Sequence, residues 1–82
     1  MYIVCIIEMF QYVHHETTAV YGFNNMESQK VVNKKAEDIF TSMIKEIDPD
    51  ISETNIEVAI EDGYIEIGKT EFILTHPEII EV

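Results

Sequence analysis

Four groups of residues in this 82-residue chain are of types that could do chemistry. They are the run His14-His15-Glu16, the lone thiol of Cys5, the cluster Asp48-Pro49-Asp50 with Glu53, and a surplus of acids after residue 45. The first has metal-ligand types. Adjacent residues of an extended chain point to opposite faces, so one ion cannot easily take both imidazoles. No i,i+4 His pair exists and His76 is remote in sequence, so no metal site is expected. The Asp48 cluster opens like a calcium loop, but Glu53 stands where that loop needs Gly and Ala59 where it needs a bidentate Glu. A helix stop followed by a turn accounts for it instead. Cys5 lies within Ile3–Ile7, the setting of a buried thiol, whereas a nucleophile needs an exposed, electropositive one. One cysteine excludes an internal disulfide and a Cys-based zinc site, and fits a reducing compartment. No Gly-rich phosphate loop, nucleophile elbow or Ser-His-Asp ordering is present. Acid–base catalysis would need a carboxyl raised by burial, and alternation turns nearly all the acids to solvent. Neither an enzyme nor a cofactor is expected.

What remains is charge. Residues 46–82 carry eleven acids against Lys69 alone, a net of −10, while residues 1–45 carry five acids and four lysines, a net of −1. Solubility of a small domain needs a net charge of only roughly 2–8, and crowding more onto one half costs stability through self-repulsion. The surplus points to a basic partner. Arginine is absent, which removes the best bidentate phosphate ligand. With a pI near 4.4, the chain repels nucleic acid and does not bind it directly. The candidate partner-binding residues are Asp48, Asp50, Glu53, Glu57, Glu61, Asp62, Glu66 and Glu71.

The elements that position them are expected within one domain, residues 1–82. At this length a chain buries only about 60–65% of its unfolded surface, so the core is thin. Tyr2–Phe10 is apolar on both faces and reads as a central strand. Gln11–Glu16 is the expected connection to a second strand, Thr17–Phe23. Asn24 and Glu27 form an N-x-x-E helix start close to a capping box. Val32, Ala36, Ile39, Phe40, Met43, Ile44 and Ile47 then make one apolar stripe of a helix over about 25–47, ended by Pro49. Ile56–Glu61 alternates like a strand, and Asp62-Gly63 is a hairpin signal. That register puts Ile60 opposite Ile65 and gathers Glu57, Glu61, Tyr64 and Glu66 on an outer face. Gly68-Lys69 turns the chain again into Glu71–Thr75, setting Glu71 near Glu66, and Pro77 leaves Glu78–Val82 as a tail or short edge strand. The expected fold is α+β: an antiparallel sheet of four to five strands, β-β-α-β-β-(β), with one helix on one face. The uncovered face shows Val4, Ile6 and Phe10, a candidate homodimer interface.

In size, charge and element order the whole chain resembles the small, acidic, arginine-poor DNA mimics encoded by bacteriophages, most of all those that inhibit the nucleoid protein HU. No signature motif carries the resemblance. It implies a homodimer that occupies the DNA-binding cleft of an HU-like protein, with the acids from Asp48 to Glu71 standing in for phosphates. The alternative is a small phage or bacterial interaction protein that binds a host factor through an apolar patch or an edge strand, its acids serving solubility. Met1–Ile7 has no basic flank and is too short for a signal peptide or a membrane span. A cytoplasmic location, in the host cell if phage-encoded, is expected.

Overall fold

The computed structural model describes the backbone of residues 1–80 and the side chains of residues 1–75. The order is β1 (Tyr2–Gln11), β2 (His14–Phe23), α1 (Met26–Ile47), α2 (Glu53–Asp62), β3 (Tyr64–Ile67) and β4 (Thr70–Ile80). The strands form one antiparallel sheet in the order β2-β1-β4-β3, and both helices lie on one of its faces. This is the α+β class that the patterning indicates.

β1 is central, as its two apolar faces require. Its ten residues pair with β2 without interruption, from Tyr2 opposite Phe23 to Gln11 opposite His14. The loop is therefore only Tyr12-Val13, not Gln11–Glu16, and Tyr12 takes a positive φ of 55° to close it. On its other side β1 pairs with β4, and the register shifts between Val4 and Ile6. Residues 76 and 77 stand opposite Cys5 there, so Pro77, which has no N–H to give the ladder, sits in a bulge. The segment from Glu78 to Ile80 continues β4 and does not form a tail. Residues 81 and 82 of the expected tail lie outside the described residues.

Ile3, Cys5 and Ile7 of β1 turn to the helices with Val20 and Phe72, and meet Val32, Ala36, Phe40 and Ile44 of α1. These four recur every fourth residue and are all buried. α1 packs tightly on β2 at Gly22, where a Cβ would fall 2.4 Å from Val32 Cγ2. The helix is capped by Asn25, whose side chain accepts from Ser28 N at 2.9 Å, one residue later than the expected start. Asp48 closes it just before Pro49.

The main departure is at residues 53–62, which form helix α2 where alternation predicts a strand. Ile56, Ala59 and Ile60 are spaced for a helix; Ile56 and Ala59 are buried and Ile60 packs against the core. Val58, which a strand would turn inward, is 49% exposed. Ser52 caps the start, accepting from Asn55 N at 3.2 Å. Gly63 is not a hairpin corner but the left-handed residue that ends α2, with φ 71°. Its carbonyl accepts from Leu74 N at 2.9 Å, and an added Cβ would stand 2.7 Å from Leu74 O. The C-terminal hairpin turns at Gly68-Lys69, with Ile67 opposite Thr70. Ile65 thus faces Phe72, not Ile60.

Two substitutions check this assignment. Ser52→Ala removes a helix cap and is expected to cost about 1 kcal/mol in urea unfolding. A strand at 56–61 would make that change neutral. Gly63→Ala forces a left-handed alanine against a carbonyl and should cost more than Ser52→Ala.

Candidate functional site

The eight candidate acids lie around the α2–β3 edge of the sheet, not on one hairpin face. Glu53, Glu57 and Glu61 recur every four residues on α2, an axial step of about 6 Å, and all three are exposed. Asp50 is exposed in the turn between the helices, and Asp62 ends α2. Asp48, Asp62 and Glu66 border a cleft of about 530 Å³ between α2 and β3, with Ile51, Val58 and Ile65 among its lining residues. Glu66 and Glu71 lie directly opposite one another, on the sheet face without helices. Helix and sheet therefore turn the candidate residues around one edge, with Glu66 and Glu71 on its far side from α2.

No ion pair neutralises these acids among the described residues. Among the described residues, ion pairs within 4 Å join His14 to Glu16 and Lys34 to Asp38; neither involves these eight acids. Lys69, the single base of this half, has its ammonium 5.6 Å from the centre of the Tyr12 ring. Glu66 and Glu71, like charges facing across a strand pair, are destabilising. Tyr64 eases the clash: its hydroxyl lies 3.3 Å from Glu66 Oε2 and 3.3 Å from Glu71 Oε1. One proton serves two carboxylates. Desolvation, then the charges of Glu71 and Glu66, raise the Tyr64 pKa above its ordinary 10.0. The sequence places Tyr64 on the face of Glu66; what it does not reveal is the bridge, which depends on the exact register of the β3–β4 turn.

The remaining groups fall as follows. Val4 is only 4% exposed, because Tyr21 stands opposite and Tyr2 and Ile6 flank it on the same face. Ile6 and Phe10 are half-buried, and the Phe10 ring stacks on His15 at 4.1 Å. Exposed apolar side chains cluster instead at Tyr2, Tyr21, Phe23, Met26 and Val31, with Tyr12 and Val13 exposed in the β1–β2 loop. The sequence signal of that cluster is Val31, which stands beside the α1 stripe and not within it. His14 bonds Glu16 at 3.0 Å and His15 bonds Thr17 at 3.2 Å, so the two imidazoles part to opposite faces. Among the described residues no three His, Cys, Asp or Glu side chains are grouped to hold a metal. Cys5 is buried, its thiol directed at Asn33 Oδ1 at 3.5 Å, and desolvation with the nearby Glu37 charge raises its pKa. Among the described residues no helix is long and apolar enough to cross a membrane. No protein-family model, curated protein or solved structure matches this chain.

The bridge sets a pH dependence. A folded pKa above the unfolded one gives stability that is complete below the unfolded pKa and is lost as pH rises through the folded value. Absorbance titration should place Tyr64 ionisation above 10.0, and Glu71→Gln should lower it. An unchanged titration in that variant would remove Glu71 as a cause.

Proposed function

We propose that this chain is a non-catalytic binding protein whose α2–β3 edge occupies the cationic nucleic-acid site of a basic, HU-like protein and so blocks it. The observation that carries this reading is the segregation of charge across the sheet. β3 and α2 lie at one edge with acids that have no ammonium within 4 Å among the described residues. β2 lies at the other edge and carries Glu16 alone among acids and lysines.

DNA presents a charge per roughly 1.7 Å of axis over both strands. The α2 stripe repeats at about 6 Å, with Asp62 at its end and Glu66 across the edge, a sparser row that lysines and arginines can still engage by charge. Ile51, Val58 and Ile65 in the adjoining cleft give such a partner a place for the aliphatic stems of its basic side chains. Binding of this kind falls with added salt, because exposed charges are screened beyond about 8–10 Å at moderate ionic strength.

The test is reversal of Glu57, Glu61 and Glu66 to Lys. Capture of a basic nucleic-acid-binding protein from bacterial lysate is expected at low salt, with release at high salt and displacement by duplex DNA. The triple variant should capture none while keeping the wild-type circular dichroism. Capture that survives both the reversal and high salt would refute the reading, and would favour docking by an apolar patch.

A further inference from the structure

β2 is an edge strand that lacks the usual protections. Natural edges are blunted by lysine, proline, bulges or shortness. β2 runs ten residues, His14–Phe23, with no Lys and no Pro, and its register to β1 has no bulge. Its outer backbone groups meet no other strand among the described residues. The other outer strand, β3, has only four residues.

Beside this edge lies uncovered apolar surface. Tyr21, Phe23, Val31 and Val32 line a groove of about 350 Å³ between the end of β2 and the first turns of α1. Tyr21 is 65%, Phe23 61% and Val31 65% exposed. Tyr2 stacks on Phe23 at 5.2 Å, and Met26 follows at the helix start. With large side chains burying about 150–250 Å² each, these residues leave on the order of 500 Å² uncovered. A paired strand covers the outer part of this surface, at Tyr21, Phe23 and Val31, and adds its own contact toward the roughly 800 Å² per partner of a stable interface.

Charge selects the occupant. Two copies of a chain of net charge −11 repel wherever their acidic edges approach. Over β2 and α1 as far as Asp38, Glu16, Glu27, Glu37 and Asp38 stand against Lys30, Lys34 and Lys35, and Lys34 lies 3.5 Å from Asp38, so two copies meet there with little of that cost. We propose that β2 pairs antiparallel with β2 of a second copy, joining two sheets into one of eight strands. A two-fold axis normal to the sheet keeps the helices of both copies on one side and sets odd residues against odd. Centring it on Ala19 places Ala19 opposite its own copy and pairs residues 15–23. The contact is isologous, so it closes at two copies. It uses the opposite edge from the acidic surface and does not depend on that surface's role.

Light scattering should give twice the 9.5 kDa chain mass, unchanged between low and high salt. Ala19→Cys should crosslink to a covalent dimer under mild oxidation or with a short bis-maleimide, since Cβ atoms across such a pair lie about 4.5–5.5 Å apart. Val58→Cys, exposed on α2, should not. Phe23→Glu with Val31→Glu should return the mass to that of one chain. A single-chain mass for the wild type at millimolar concentration would overturn the proposal. So would a dimer in which the Ala19→Cys variant crosslinks no better than the Val58→Cys variant.

Discussion

The fold depends on one constraint: β1 must be covered on both edges and on one face. Its run of Ile3, Val4, Cys5, Ile6 and Ile7 leaves no edge fit for water. β2 takes one edge by a two-residue hairpin loop, and β4 takes the other only after the chain has passed through both helices. α1 covers the face, with Phe40 and Ile44 fully buried against Ile3 and Ile7. A core of this size tolerates little loss, and the close approach at Gly22 shows how tightly the helix is seated.

The same topology separates the charge. Near-neutral β1 and β2 come from the first half of the chain, and acidic α2 and β3 from the second. Because β4 enters beside β1, β3 is carried to the outside, and α2 with it. An order in which β3 lay beside β2 would have mixed the two regions. The contrast between the edges is thus a product of strand order and of where along the sequence the acids fall. The proposed decoy role draws on one edge and the proposed self-pairing on the other, so neither surface obstructs its counterpart.

Much of this is legible in the residues. The central strand, the N-terminal hairpin, the long helix with its stop at Pro49 and the turn at Gly68-Lys69 all follow from periodicity and turn chemistry. The failure at 56–61 has a definite cause. Positions four apart share a face in both a strand and a helix, so Ile56 with Ile60, and Glu57 with Glu61, satisfy either period. Ala59, which alternation leaves outside and helical spacing turns inward, is the discriminating residue, and its small size makes it uninformative. Gly63 is equally ambiguous, since a left-handed glycine serves a hairpin corner and a helix end alike. Ser52, placed to cap Asn55, is the missed signal. For the candidate site, the acids are plain in the sequence but their arrangement is not. A helix winds them around an edge where a strand would have laid them on a plane. The burial of Val4 is hidden too, because it depends on Tyr21 standing across the ladder.

α2 carries a conflict of its own. Glu53 at its start suits the positive end of the helix dipole, but Glu61 and Asp62 crowd the negative end, and no basic residue stands in the last turn. Two carboxylates there push against the final carbonyls, and the short helix is held against them by Ile56, Ala59 and Ile60, by its Ser52 cap and by the glycine that ends it. Its C-terminal turn is where charge works against the helix. A cation settling beside Glu61 and Asp62 would relieve the mismatch, so contact with that surface would also stabilise the helix end that bears it.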